Sequence, residues 1–154
     1  MPKKLTTEQA YTWATGRCSL RECCRSEVMT KFLEKGLSRS EAESLLDRLE
    51  DENFIDEERY AKAFVHDKTL YDRWGRIKTR QALRMRGIDN DKINAAIALI
   101  DEEEYAATLH GLLVQKSKSI KAEDDYEMKQ KLVRYAAGRG FEPDAVFTAV
   151  EELQ

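Results

Sequence analysis

Apolar residues recur along the chain at helical spacing, in three stripes with the same internal offsets. Each stripe has apolar residues at offsets 0, 3, 4 and 7, which is the spacing of one buried face of an α-helix. The stripes consist of Ala42, Leu45, Leu46 and Leu49, then Ile93, Ala96, Ile97 and Ile100, and finally Val146, Ala149, Val150 and Leu153. The pattern therefore predicts three amphipathic helices in equivalent positions.

A glycine precedes each stripe, and the three glycines are almost evenly spaced. Gly36, Gly87 and Gly140 stand 51 and 53 residues apart, and an apolar residue follows each of them. A run of acidic residues that ends in Tyr-Ala also repeats, at residues 56–61 and 101–106. Recurrence at a period of about 50 residues is typical of repeat proteins, in which neighbouring units complete each other's core.

The repeats predict an all-α fold, built of three tandem three-helix units in an elongated, curved stack. We expect the first unit at residues 1–55, the second at 56–101 and the third at 102–154. The nine predicted helices cover residues 6–17, 20–35, 39–52, 56–71, 73–86, 90–100, 102–117, 124–138 and 143–153. Because no residue separates Ile100 from Asp101, we expect the sixth helix to run nearly straight into the seventh.

Residues that commonly begin or end helices mark several of these boundaries. Residues 19–22 and 38–41 each begin with Ser and end with Glu, which is the pattern of a capping box. Gly36, Gly87 and Gly140 stand where a residue in the left-handed conformation ends a helix. Pro143 falls in the first turn of the last predicted helix, where its missing N–H has no cost.

The composition agrees with a soluble helical protein and excludes several other classes. The 154 residues are 42% hydrophobic and 36% charged, with only 7 Gly and 2 Pro. No apolar run approaches the roughly 18 residues of a membrane span, and the first residues lack the apolar core of a signal peptide. We therefore expect a cytoplasmic protein that is monomeric and does not bind membranes.

The sequence has no pattern of catalytic or metal-ligating residues, so we expect a protein that is not an enzyme and holds no cofactor. A phosphate-binding glycine loop, a zinc-protease motif and a nucleophile elbow are all missing from it. Cys18, Cys23 and Cys24 lack a nearby fourth zinc ligand, because His66 and His110 are distant in sequence. An odd number of cysteines without a secretion signal favours reduced thiols.

The net charge of −3 conceals an uneven distribution along the chain. Residues 1–56 carry a net charge of −2, residues 57–100 carry +4 and residues 101–154 carry −5. Within the middle part, residues 73–86, here called the basic segment, contain six cations and no acid. These cations are Arg73, Arg76, Lys78, Arg80, Arg84 and Arg86. A basic region between acidic ones indicates a binding surface more strongly than the total charge does.

On a continuous helix, four arginines of the basic segment would share one face, at positions 73, 76, 80 and 84. This face is either an ordinary solvated surface or an anion-binding surface for nucleic acid or for an acidic protein groove. The forked guanidinium of arginine suits phosphates and carboxylates. Tyr71 and Trp74 flank the segment, where they either stack on bases or on a partner, or pack against the core of their own unit.

Three stretches of the chain carry a further pattern: Asn-Phe-Ile-Asp-Glu-Glu-Arg-Tyr-Ala-Lys-Ala-Phe at residues 53–64, Trp74-Gly75, and Arg-Gln-Ala-Leu-Arg-Met-Arg-Gly-Ile at residues 80–88. In this order and spacing they resemble the central signature of the RecX family, bacterial regulators of the RecA recombinase. Residues 17–22, Arg-Cys-Ser-Leu-Arg-Glu, are similar to the family's first-unit motif. Thr79 departs from the family, which usually has an aliphatic residue there, and the third unit is diverged.

The resemblance implies tandem three-helix repeats and a protein that binds the RecA–DNA filament in its groove. Family members of this kind inhibit strand exchange, ATP hydrolysis and co-protease activity, and so regulate DNA repair and recombination. The basic segment would then face acidic groups of the filament, or the phosphates of single- or double-stranded DNA. Two alternatives stay open on the residues alone: a helix-turn-helix-like DNA-binding protein and a helical-repeat adaptor for an unrelated protein.

Overall fold

The computed structural model describes residues 4–153, and within this range the chain forms nine α-helices and no strand. The helices are α1 (Thr7–Leu20), α2 (Arg25–Glu34), α3 (Arg39–Asp51), α4 (Glu57–Leu70), α5 (Arg76–Met85), α6 (Asn90–Ile97), α7 (Glu102–Ser117), α8 (Asp125–Gly138) and α9 (Pro143–Glu151). The predicted all-α fold is therefore confirmed. None of the helices within residues 4–153 is both long enough and apolar enough to cross a membrane.

The contacts between residues divide the chain into two compact units. Unit 1 contains the described residues up to Ala63 together with Leu83–Asn94, and unit 2 contains Phe64–Ala82 together with the described residues from Ala95 onward. Helices α4, α5 and α6 each contribute residues to both units. The division of the sequence into residues 1–55, 56–101 and 102–154 stays a prediction.

Each unit has its own apolar core, to which one of the stripes predicted from the sequence contributes. In unit 1, α1, α2 and α3 enclose Phe32, Leu46 and Leu49, and the ring of Trp13 meets that of Phe32 edge-on. In unit 2, α7, α8 and α9 enclose a second group of buried apolar residues. Its members are Tyr105, Leu109, Leu112, Leu113, Leu132, Ala136, Phe141, Val146, Ala149 and Val150.

Most of the predicted helix ends are confirmed at the level of single hydrogen bonds. Ser38 begins α3 as a capping box, because its hydroxyl accepts from the backbone N–H of Glu41 while the Glu41 carboxylate accepts from the N–H of Ser38. The glycines that follow α2, α5 and α8 all have a positive φ, between 77° and 93°. Pro143 lies in the first turn of α9.

Three predicted helix boundaries are wrong. Ser19 does not cap α2: it lies inside α1, where its hydroxyl donates to the carbonyl of Thr15 at 2.7 Å, and Cys24 takes the N-cap position instead. The sixth helix does not run into the seventh, because α6 ends at Ile97 and Asp101 adopts an extended conformation to cap α7. Helix α5 begins at Arg76 rather than at residue 73.

Candidate partner-binding segment

The start of α5 changes the geometry of the basic segment. Arg73 precedes the helix and has a left-handed backbone, with φ of 56°. Its side chain is exposed, but it cannot continue a helical row with the later arginines. The single face of four arginines that the sequence suggests is therefore incomplete at its first member.

Arg76, the first residue of α5, is held inside unit 2 by two carboxylates. Its Nη2 donates to Oε1 of Glu102 at 2.6 Å, and its Nη1 donates to Oε2 of Glu142 at 2.9 Å. The guanidinium also lies over the ring of Tyr105, 4.0 Å from the ring centroid, and the side chain is only 17% exposed. These contacts attach the start of α5 to the starts of α7 and α9.

The groups around Arg76 form one hydrogen-bonded cluster. The hydroxyl of Tyr105 accepts from the backbone N–H of Arg76 at 3.0 Å and donates to the carboxylate of Glu142. Burial by itself would raise the pKa of Glu142, but the hydrogen bonds from Tyr105 and Arg76 outweigh it, so the pKa lies below its ordinary value. Burial is also the main reason why the pKa of Tyr105 is raised. The cluster is thus fully ionised at Arg76 and Glu142 near neutral pH.

The loop before α5 approaches the α8–α9 turn backbone to backbone. The N–H of Gly75 donates to the carbonyl of Arg139 at 2.8 Å, and the N–H of Ile77 donates to the carbonyl of Gly140 at 2.9 Å. A Cβ atom on Gly75 would lie 2.2 Å from the backbone of Gly140, so only glycine fits here. The guanidinium of Arg139 donates to the carbonyls of Asp72 and Arg73. Together these bonds fix the position of Arg73.

The two aromatic residues beside the basic segment have different environments. The ring of Trp74 is half-buried, with the ammonium groups of Lys68 and Lys78 at 4.7 and 4.5 Å from its centroid and Phe64 at its edge. These three neighbours already occupy the indole ring within unit 2. Tyr71 is 75% exposed, so of the two predicted stacking residues it has the more accessible ring.

The remaining cations of the basic segment are partly engaged. Lys78 and Arg80 are half-buried, while Arg84 is exposed and its Nε reaches Oδ1 of Asn90 at 3.4 Å. In unit 1, Nε of Arg86 donates to Oε1 of Glu27 at 3.2 Å. Among the six predicted contact residues, Arg73 and Arg84 are therefore the most exposed to solvent.

Thr79 shows how the helix accommodates a polar residue where the RecX pattern usually has an aliphatic one. The side chain is fully buried, and its hydroxyl donates to the carbonyl of Gly75 at 2.9 Å. A buried hydroxyl that has its hydrogen bond carries little penalty. Leu83, one helical turn after Thr79, is also fully buried.

The cysteines form a buried group in unit 1. Cys18, Cys23 and Cys24 are free thiols. Contact with the Cys18 thiol lowers the pKa of Cys23 to about 7. Within residues 4–153, the structure contains no group of three side chains suited to hold a metal ion.

No pattern in the sequence indicates the partners that hold the basic segment in place. Glu102 and Glu142 are 26 and 66 positions away from Arg76 in sequence, so no local pattern links them. Arg139 does carry a signal, because it stands between two glycines in the third repeat of the glycine motif. That signal indicates a tight turn, and only the structure shows what the turn contacts.

The sequence of the chain is similar to those of known proteins from one family. The family model for the second three-helix domain of RecX matches residues 56–97, and the model for its third three-helix domain matches residues 102–150. The regulatory protein RecX of Chlorobium limicola is 31% identical over 145 residues, covering 94% of this chain and 89% of that protein. The RecX of Prosthecochloris aestuarii is 28% identical over 147 residues, covering 96% and 95% of the two chains.

Solved structures show the same fold. The crystal structure of a regulatory protein RecX aligns with a TM-score of 0.85 and 22% identity, covering 95% of this chain and 71% of that one. The crystal structure of RecX from Lactobacillus salivarius aligns with a TM-score of 0.81 and 19% identity, covering 96% of both chains. The fold thus defines a class of all-α proteins built from tandem three-helix repeats. The matches in sequence are specific enough to go further: the chain belongs to the RecX family.

Proposed function

We propose that this protein binds the RecA–DNA filament and inhibits recombinase activity, without catalysis of its own, in the bacterial cytoplasm. The observation that carries the proposal is the near full-length match to regulatory proteins named RecX, which covers 94% of this chain and 89% of one relative. Strand exchange, ATP hydrolysis and co-protease activity of the recombinase are the activities we expect it to reduce. Recombination, DNA repair and the SOS response would be regulated as a result.

The exposed cations of the basic segment support an electrostatic contribution to this binding. Arg73 in unit 2 and Arg84 in unit 1 present guanidinium groups to solvent. Exposed charges of this kind mainly raise the rate and specificity of association with an acidic surface. We propose that both contact acidic side chains or DNA phosphates of the filament, with Lys78 and Tyr71 as further contacts in unit 2.

Arg76 has a different role in this proposal. Because its guanidinium is paired with Glu102 and Glu142, it holds α5 in place and does not meet the partner directly. A charge reversal at Arg76 would reduce inhibition only by disturbing the fold of unit 2.

The decisive experiment is a recombinase ATPase assay on single-stranded DNA into which the protein is titrated. We expect ATP hydrolysis to fall as the protein approaches stoichiometric amounts. Unchanged hydrolysis at those amounts would contradict the proposed function. Binding of naked duplex DNA with equal affinity in the presence and absence of recombinase would favour a DNA-binding protein instead.

Two charge-reversal variants test the contact residues. We expect Arg73→Glu and Arg84→Glu each to raise the half-inhibitory concentration by about threefold to tenfold, which corresponds to about 1 kcal/mol. Arg39→Glu is the matched control, because Arg39 is also exposed and an acid in the first turn of α3 is compatible with the helix. Equal inhibition by all three variants would exclude the basic segment from the interface.

A further inference from the structure

Helices α8 and α9 leave an open apolar groove on the surface of unit 2. The groove has a volume of about 570 Å³. Tyr126, Val133 and Ala137 of α8 line it along one side, and Phe147 and Val150 of α9 line it along the other. Its walls are thus provided by two helices of one unit, which pack directly against each other.

The two largest apolar side chains of the groove are not part of the core. Tyr126 is 71% exposed and Phe147 is 56% exposed, although both belong to helices whose other faces are well buried. Of the other α8 residues that line the groove, Ala137 is exposed, whereas Val133 is half-buried and packs against the core that contains Leu132 and Ala136. A contiguous exposed patch of this kind commonly marks an interaction surface.

Hydrogen-bond donors without acceptors stand at the edge of the groove. The amide of Gln130 donates to the hydroxyl oxygen of Tyr126 at 2.6 Å, so this hydroxyl can still donate its own proton to another acceptor. No such acceptor is found among residues 4–153. Arg134, one helical turn beyond Gln130, is exposed, and no carboxylate in the described part of the chain pairs with it. An occupant with a carboxylate would satisfy both donors.

Among the described residues that line the groove, Lys129 of α8 and Glu151 of α9 form an ion pair between the two helices. Their charged atoms are 3.7 Å apart, and both residues line the groove. Because this pair is neutral as a whole, Arg134 determines the sign of the rim. The surface therefore combines an apolar floor with a positive edge.

We propose that this groove binds an amphipathic segment of a protein partner, with one or two apolar side chains and an adjacent Asp or Glu. The apolar side chains insert between Phe147 and Val133, and the carboxylate accepts from Arg134 and Tyr126. This assignment rests on the proposed function for the identity of the partner, which is then the recombinase in its filament. The groove lies outside the basic segment, so it provides a second contact with different chemistry.

The test measures binding of the 154-residue chain, carrying a fluorescent label, to recombinase filaments assembled on single-stranded DNA. We expect Phe147→Ser and Arg134→Glu each to weaken binding at least tenfold, with Arg134→Lys retaining more affinity than Arg134→Glu. Leu99→Ser is the matched control, because Leu99 is 67% exposed in unit 2 and does not line the groove. Circular dichroism of each variant establishes that the helices are retained.

The outcomes separate the groove from the proposed function. If the unmodified chain binds filaments and the groove variants bind equally well, the groove proposal is overturned and the proposed function stands. If the unmodified chain does not bind filaments, the proposed function is overturned, and the recombinase is excluded as the partner that occupies the groove. Sedimentation can also show that the chain self-associates. If Phe147→Ser abolishes this self-association but leaves filament binding unchanged, the groove binds a second copy of the chain and the proposal is wrong.

Discussion

Arg76→Ala should destabilise unit 2 strongly, although the sequence presents Arg76 as one of several surface cations. The substitution removes two charge-assisted hydrogen bonds, at 2.6 and 2.9 Å, and leaves Glu142 without its cation. Removal of one partner from a fully buried ion pair costs about 3–5 kcal/mol. Because the Glu142 side chain is 32% exposed and water can partly replace the lost donors, we expect about 2–3 kcal/mol.

Urea and thermal unfolding, followed by circular dichroism, measure this loss. For a chain of this length, about 2–3 kcal/mol corresponds to a decrease in Tm of about 5–10 °C. Arg84→Ala is the control, since Arg84 lies on the same helix but is exposed, and its effect should stay within about 0.5 kcal/mol. Equal stability of the two variants would refute the assignment of Arg76 to the interior.

The same cluster makes a specific prediction for pH. The pKa of Glu142 is lower in the folded protein than its ordinary value, so its carboxylate stabilises the fold at pH above the unfolded value of about 4.3. This stabilisation is lost as the pH falls through the folded value. The difference in unfolding free energy between the unmodified chain and Glu142→Gln should therefore have its largest value near neutral pH and disappear in acid. A difference that is independent of pH would contradict the ion pair.

Further predictions concern the backbone and the helix caps. Gly75→Ala should destabilise the protein by several kcal/mol, because its Cβ would lie 2.2 Å from backbone atoms of the α8–α9 turn. Gly16→Ala, a control inside α1 with no atom within 4 Å of the new Cβ, should stabilise it by about 0.5–1 kcal/mol. Ser38→Ala should cost about 1 kcal/mol by removing a cap, whereas Ser19→Ala should be nearly neutral. Denaturant titrations of the four variants check these signs, and a large loss for Ser19→Ala would contradict its place inside α1.

The local pattern of the sequence was sufficient for most of the secondary structure. Helix α9, for example, follows from a glycine, a proline in the first turn and four apolar residues on one face. Each of these signals acts within about one or two turns of helix, so they can be read without knowing the fold. Ser38 was a correct cap for the same reason, since its partner Glu41 is three residues away.

Where two local arrangements compete, the sequence alone does not show which of them forms. Ser19 has a Glu three residues later and so resembles a cap, but its hydroxyl bonds instead to the carbonyl four residues before it. Both arrangements satisfy the hydroxyl equally well. Cys18 in α1 and Cys23 after it are both buried in the core of unit 1, and such tertiary contacts are not encoded in the local pattern.

The basic segment shows most clearly which features cannot be predicted from the sequence. The amino-acid pattern is enough to show how many cations there are, that no acid lies among them and which helix carries most of them. That Arg76 turns inward while Arg73 and Arg84 remain exposed follows from the folded chain alone. The energy of an ion pair depends on distance through space and on burial, and other helices bring the carboxylates to Arg76.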